Sequence, residues 1–309
     1  QLEALLGKNG YAWCWDSLLG KWKKAPTRSL VPGSSVLLPR STGGYDGALG
    51  WTANARDIPE PIHLPDDASV HDFDAGDPWT HRSSQYVALS VHSSDVVQAL
   101  DRLERDLAID GLPWDELRLA CRWHDAGKAH PVFQALMVER LDEADPKRGG
   151  VWAKSDGVHA GRRYERPHFR HELASALAFS QQGGSDLVTY LVAAHHGKVR
   201  LSIRSRPTEA APKGAPERLF ALGIHDGDVL PQADLGDGVI SIETTLDLSL
   251  MEIGERTHDT SGPRPSWSAR CLALLEELGP FRLAYLEALV RIADWRGTRV
   301  RNEQERHNG

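Results

Sequence analysis

Trp123-His124-Asp125-Ala126-Gly127-Lys128 closes a helical stripe in which Leu117, Ala120, Cys121 and His124 follow Pro113 at three- and four-residue spacing, and its reading decides the fold. Gly127 is a stop signal for that helix. Where a helix ends the backbone is free to turn, so an adjacent His and Asp can face one pocket. The imidazole offers a nitrogen to one cation, and the carboxylate, with two oxygens, can bridge that cation to a second. A His-Asp pair alone says little. The chain also holds His71-Asp72, His225-Asp226 and His258-Asp259, all in loop-like, apolar-poor contexts that give no reason to expect a site.

The surrounding residues carry the argument. His92 stands at the start of a helix whose apolar stripe is Val96, Leu100, Leu103 and Leu107, with Ser93, Ser94 or Asp95 as its expected cap. His171 begins a helix over 170–182 and shares a face with the small residues Ala174, Ser175 and Ala178, which leaves room for a buried site. His195-His196-Gly197 ends an apolar helix over 186–196, where two imidazoles can diverge around one metal. Asp294 lies one turn after Val290 on a final apolar helix, where an unpaired carboxylate would be costly to bury. Asp294 alone reads equally as an ion-pair partner of Arg291 or Arg296. The ordered set His92, His124-Asp125, His171, His195-His196, Asp294 points to a metal centre. Donors this rich in imidazole suit Mn, Fe, Co or Ni better than Mg or Ca, whose shells are oxygen. Two such cations about 3.5–4 Å apart would bind a shared water and lower its pKa. Lys128, one turn beyond His124, is expected to contact the substrate's reacting group; the alternative is an exposed lysine at a helix end.

Further out, residues 1–82 differ from the rest, being rich in Gly, Pro and Trp, with a short apolar run Val36-Leu37-Leu38 and a turn-prone stretch after it. They read as short strands and loops, with 57–78 as a linker. From residue 83 to 309 the main body is helical: a helix from Pro131 to about Leu141, a Gly-rich loop over 146–167, and two last helices over 266–278 and 280–297. The stretch 198–265 has weak periodicity and reads as an irregular insertion, with one alternating patch (Val239, Ile242, Thr244, Leu246) suggesting a hairpin. The fold class expected is mainly α.

The 309 residues can bury a real core, and no apolar run approaches the roughly 18 residues that span a bilayer. A soluble, cytoplasmic protein is the expectation. Three scattered cysteines give neither a disulfide framework nor a metal knuckle. The first residue is Gln1 and there are only two methionines, so a fragment of a longer polypeptide is expected. A net charge of −7 argues against a nucleic-acid binder. Two bound divalent metals would offset part of it, and Arg162, Arg163, Arg166 and Arg170, then Lys198, Arg200, Arg204 and Arg206, cluster locally. Such clusters read equally as solvated surface. If a single DNA strand is the substrate, Lys198, Arg200, Arg204, Trp295 and Arg299 are candidates for its path by their position after a ligand.

The order of these motifs, with HDxGK at its centre and AHHG after it, resembles the HD superfamily of metal-dependent phosphohydrolases, and most of all the HD nuclease of the CRISPR-associated helicase-nuclease of type I systems. An HD domain lying after the helicase portion is similar to subtype I-G. The resemblance covers about 84–299 and implies an HD-domain helical bundle. It implies two metal sites, one held by His92, His124, Asp125 and Asp294, the other by Asp125, His171, His195 and His196. It also implies a DNA nuclease favouring single strands, working with a helicase in the same or a partner chain and recruited by an RNA-guided complex. The long stretch before Asp294 departs from the family pattern and makes that aspartate the least secured ligand. A phosphohydrolase of nucleotides or cyclic dinucleotides is the alternative. A catalytically idle docking module would have lost a ligand, and none is missing.

Overall fold

The computed structural model describes residues 2–7, 10–16, 21–30, 36–47, 49–61, 85–155, 164–166, 168–197, 199–206, 209, 211–215, 217–251, 257–259 and 262–308. Two compact units divide the chain, Gln1–Val70 and His71–Gly309. The pair His71-Asp72 and most of the expected linker lie outside the described residues, as do Arg162, Arg163 and Lys198.

The first unit has a short helix α1 (Leu2–Leu6) and a three-stranded antiparallel sheet of order β2-β1-β3, from β1 (Tyr11–Asp16), β2 (Lys21–Pro26) and β3 (Val36–Leu37). Alternation in β1 turns Ala12 inward and Tyr11 and Trp13 outward. Thr27 Oγ1 donates to the carbonyl of Gly10 at 2.9 Å and holds the end of β2 against the start of β1. A hairpin of β4 (Tyr45–Asp46) and β5 (Gly50–Trp51) follows. Gly43 precedes it at φ 70°, where a Cβ would sit 2.2 Å from the Ala55 carbonyl oxygen. Strands and loops were expected here; the one helical turn at the start is additional.

In the second unit, β6 (Val87–Ala88) leads straight into α2 (Leu89–Leu107). The expected cap at Ser93, Ser94 or Asp95 is not used, because the helix starts four or more residues earlier. Its entry is set by strand pairing instead. β7 (Trp152–Lys154) pairs with β6, and the Leu89 N–H donates to the Val151 carbonyl at 2.9 Å. β7 also lies within the stretch read from sequence as loop. Next come α3 (Trp114–Trp123), a tight turn Ala126–Ala129, α4 (Pro131–Val138), α5 (His171–Gln181) and α6 (Asp186–Ala194).

The stretch before the last helices is less irregular than its weak periodicity suggested. It contains hairpin β8 (Phe220–Ala221) with β9 (Ile224–His225), then one interrupted hairpin in which β10 (Val229–Leu230) and β11 (Ala233–Asp234) face β13 (Thr244–Thr245) and β12 (Ile240–Ser241). A further pair, β14 (Thr257–Asp259) with β15 (Gly262–Arg264), carries His258-Asp259. Two-residue strands are too short to print a period on the sequence. Leu230, Leu235, Leu246 and Leu248 of this stretch are fully buried in the common core, each contributing about 1.5–3 kcal/mol. The buried Arg122 of α3 pins the hairpin tip, donating to the Leu235 carbonyl at 2.9 Å and to Asp237 at 2.6 Å.

Ser266 caps α7 (Trp267–Leu278), its Oγ accepting from the Ala269 N–H at 3.3 Å. The last helix, α8 (Pro280–Asn308), runs well beyond the Gly297 at which the sequence pattern stops. Gly297 is instead where α8 crosses α2: a Cβ there would lie 3.0 Å from the Val96 nitrogen. The central α3 packs on α2, α6 and α8, while α5 packs on α6 and on the Ala126–Ala129 turn. The body is a mainly α bundle. Among the described residues no helix is long and apolar enough to cross a membrane.

Candidate metal centre

Four helix ends and one helix interior bring the seven residues of the ordered set to one buried place. α3 stops at Trp123, and Asp125 sits at φ −104° and ψ 2°, off the helical path, where its carboxylate faces the His124 ring. The tight turn that follows is pressed on the start of α5. Gly127 N–H donates to Ser175 Oγ at 2.7 Å, and that hydroxyl lies 2.9 Å from the His124 carbonyl oxygen and 3.0 Å from that of His171. This contact sets His171, the first residue of α5, opposite Asp125. His195 and His196 follow the end of α6, His92 comes from the first turn of α2, and Asp294 comes from the middle of α8.

The Asp125 carboxylate divides the cluster. Its Oδ2 lies 3.2 Å from His92 Nε2 and 3.4 Å from His124 Nε2. Its Oδ1 lies 3.0 Å from His171 Nε2 and 4.0 Å from His195 Nε2. Asp294 Oδ1 closes the first side, 3.3 Å from His92 Nε2 and 3.9 Å from His124 Nε2. On the second side His196 packs against His195, with ring centroids 4.0 Å apart and the planes tilted by 44°. Two donor groups result: His92, His124 and Asp125, and Asp125, His171, His195 and His196.

The inward atoms fit cations. Nε2 of His92, His124, His171 and His195, with Oδ1 of Asp294, are buried and have no hydrogen-bond partner in the protein, and Oδ2 of Asp125 has the Lys128 ammonium alone. A fold does not leave such atoms facing each other unless something else satisfies them. The outer ring nitrogens are tied down. His124 Nδ1 is 2.7 Å from the Cys121 carbonyl, and His195 Nδ1 is 2.7 Å from the Val192 carbonyl. A carbonyl only accepts, so Nδ1 carries the proton and Nε2 presents its lone pair inward, as a metal-ligating histidine must.

Burial, then the neighbouring His124 and His171, hold His195 down to about 3. His196 lies well below its ordinary value for the same reason, with His195 and His171 adding to burial. Both are neutral ligands near pH 7. Burial opposes ionisation of Asp125 and Asp294, but His124 and Lys128 beside the first, and His92 and His124 beside the second, hold both well below the usual carboxylate range.

Against known proteins, the family model of the Cas3 HD domain matches residues 79–301. The chain belongs to that family. No curated protein and no solved structure matches it. As a Cas3 HD domain the chain is a metal-dependent nuclease of the HD superfamily, acting in CRISPR systems.

Within this Cas3 HD domain Lys128 is not the exposed lysine that was its alternative. It is buried, with Nζ 2.7 Å from Asp125 Oδ2 and 3.3 Å from the Ala153 carbonyl. The residues expected along a DNA path are less concentrated. Arg200 is bound to Glu287, Nη2 to Oε2 at 2.9 Å, Arg204 and Arg299 are exposed, and Trp295 lies half-buried with the Arg291 guanidinium 4.9 Å from its ring centre. His225-Asp226 serves the hairpins: Asp226 accepts from the Leu248 N–H at 2.8 Å, and the His225 N–H donates to Asp228 at 2.8 Å.

Two buried groups at the site escaped the sequence reading. Lys154 of β7 donates to Thr298 Oγ1 at 2.5 Å; burial lowers it to about 8, against the pull of Asp294 and Asp125. A lone lysine after Trp152-Ala153 gives no signal in sequence. Glu172, fully buried, has Oε2 3.6 Å from His171 Nδ1. Its adjacency to His171 was the one available clue.

The neutral histidines make the metal-free domain acid-sensitive. An unfolded imidazole titrates near 6.5, whereas folded His195 stays neutral to about 3, so between those values the unfolded chain binds a proton that the folded one does not. Stability therefore falls as pH falls through about 6.5. His195 accounts for about 1.4 kcal/mol at pH 5.5, and His196 adds in the same direction. His124 has the opposite sign: burial disfavours its charge, but Asp125 and Asp294 outweigh that and raise it, so its contribution changes above 6.5 and is flat below. Melting curves in EDTA should show the midpoint dropping by several degrees between pH 7 and 5.5. A midpoint unchanged over that range would contradict neutral, buried imidazoles.

Proposed function

We propose that the chain hydrolyses phosphodiester bonds of single-stranded DNA at a two-metal centre, with His92, His124, Asp125 and Asp294 holding one cation and Asp125, His171, His195 and His196 the other. The observation that carries this reading is the division of the Asp125 carboxylate, one oxygen towards each donor group. Bound there, two divalent cations supply a water of lowered pKa and neutralise charge on the phosphate. The donor chemistry favours Mn, Fe, Co or Ni. The protein's own part is to hold five imidazoles and two carboxylates in a dry pocket, with His195 and His196 kept neutral by burial and with Nδ1 of His124 and of His195 tied to backbone carbonyls so that Nε2 faces inward. Lys128 adds a fixed positive charge on the Asp125 side, which orients that carboxylate and attracts the scissile phosphate. The partners proposed are a helicase, in the same or another chain, that delivers the single strand, and an RNA-guided complex that recruits it. Lys198, Arg200, Arg204, Trp295 and Arg299 are proposed to guide the strand.

The test incubates the protein with labelled single-stranded DNA, duplex DNA and a panel of nucleotides and cyclic dinucleotides, each with Mn²⁺, Ni²⁺ or EDTA. Shortening of the single strand with either metal and none in EDTA is expected. Turnover of nucleotides with the DNA intact would replace this reading by the nucleotide one. Lys128→Ala should lower the cleavage rate by about 10²-fold, a loss typical of one fixed electrostatic contact, with metal content unchanged. A rate within twofold of the parent would remove Lys128 from the mechanism.

A further inference from the structure

The first unit carries a surface that the metal centre does not use. Residues directly opposite in antiparallel strands share a face. Trp13 of β1 is opposite both Lys24 of β2 and Leu37 of β3, and Tyr11 is opposite Pro26. Tyr11, Trp13, Trp22, Lys24 and Leu37 therefore stand on one side of the sheet. Relative exposures are 54% for Tyr11, 45% for Trp13, 41% for Trp22 and 53% for Leu37, whereas Ala12, on the other side, is 2% exposed. The Lys24 ammonium lies 4.8 Å from the centre of the Tyr11 ring, so cation and aromatic groups are interleaved on this side. Exposed aromatic and apolar side chains gathered on one face mark an interaction surface.

Charge narrows what it binds. The edge strand β2 carries Lys21, Lys23 and Lys24 and no acid, with Lys24 among the rings and the other two on the opposite side of the strand. A polyanion complements that strand. Exposed aromatic rings two residues apart along a strand, with lysine beside them, suit a polyanion whose bases are free to stack; a duplex hides its base faces. We propose that this sheet face binds single-stranded nucleic acid, stacking bases on Tyr11, Trp13 and Trp22 with phosphate held by Lys24. That the strand is DNA rests on the nuclease reading above; the surface itself does not.

The full chain in EDTA, where cleavage is blocked, is titrated against a fluorescein-labelled oligo(dT) 20-mer and a 20-base-pair duplex, with anisotropy as the readout. The parent should bind the single strand at least tenfold more tightly than the duplex. Trp13→Ala combined with Trp22→Ala should weaken single-strand binding at least tenfold. Lys24→Glu should weaken it and flatten its salt dependence by about one ion, as loss of one phosphate contact does. These side chains are exposed, and an unchanged circular dichroism spectrum checks the fold. Hydrolysis of bis(p-nitrophenyl) phosphate with Mn²⁺ is followed in parallel and should be the same in parent and variants. Parent-like oligo(dT) binding by both variants, or equal affinity of the parent for duplex, overturns the proposal. So does a parent that ignores oligo(dT) but self-associates through the same tryptophans, which would make the face a protein contact. A parent that binds oligo(dT) through this face but never hydrolyses the ester overturns the nuclease reading instead, and leaves the binding surface standing.

Discussion

Asp125→Ala is expected to lower DNA cleavage by at least about 10³-fold and to cut the bound metal by half or more. Asp125 is the only residue shared by the two donor groups, one oxygen facing His92 and His124 and the other facing His171 and His195. Its loss takes a ligand from both cations at once, and with it the charge that offsets two dications held close together. Removing any other member of the set touches one cation only, so Asp125 should show the largest single effect. The alanine variant also leaves the buried Lys128 ammonium without its nearest partner, 2.7 Å away, and could lose activity by unfolding. Asp125→Asn separates the two causes. The amide keeps the size, and its oxygen can still face one group, but it removes the negative charge and puts a donor towards the other. It should melt near the parent in EDTA yet bind at most one metal and cleave at least about 10²-fold more slowly. Metal content by plasma mass spectrometry and cleavage of a labelled single strand are the measurements. His225→Ala is the control, a histidine of another His-Asp pair placed in β9. It should change activity less than twofold, and equal activity of the Asp125 and His225 variants would remove the assignment.

Gly127→Ala is expected to destabilise the metal-free protein by about 3 kcal/mol or more, for a reason of backbone fit and not of chemistry. A Cβ on Gly127 would lie 2.0 Å from the His171 carbonyl oxygen, 2.8 Å from the Ser175 nitrogen and 2.9 Å from Ala174 Cβ. Two of those atoms are backbone of α5 and cannot rotate away, so the helix must move or the turn must open. Either motion breaks the Gly127 N–H bond to Ser175 Oγ and withdraws His171 from Asp125. A fall in melting temperature of about 6–12 °C in EDTA follows for a unit of this size. Gly149→Ala is the comparison, since nothing lies within 4 Å of its Cβ position. Equal melting shifts in the two variants would mean that the turn and α5 are not in close contact. Loss of the second metal without the first would fit α5 shifting as a body.

The sequence motif HDxGK thus combines two tasks that only the folded chain separates. His124 and Asp125 face the cluster, whereas Gly127 is required because α5 presses on it. From sequence, Gly127 reads as a helix stop, which is half of its role. The same holds at Gly297, read as a helix end but needed for the crossing of α8 on α2. Lys128 was legible as part of the motif but not its burial, and Lys154 was not legible at all, because a two-residue strand pairing places it and no local pattern announces one. Most of the short strands in the stretch before α7 were not legible for the same reason, being shorter than a period.

Local chemistry in the amino-acid order determined the helices, their apolar stripes, and which histidines and aspartates stand at helix ends or on buried faces, since each depends on neighbours three or four positions away. The mainly α class followed from it. Tertiary structure alone decided that residues as distant in sequence as His92 and Asp294 meet at 3.3 Å, that the Asp125 oxygens split between two donor groups, and that two lysines are buried beside them. Those distances depend on how the helices cross, and crossings are set by the fit of whole faces and by the few glycines that let backbones touch, which no short window of sequence contains.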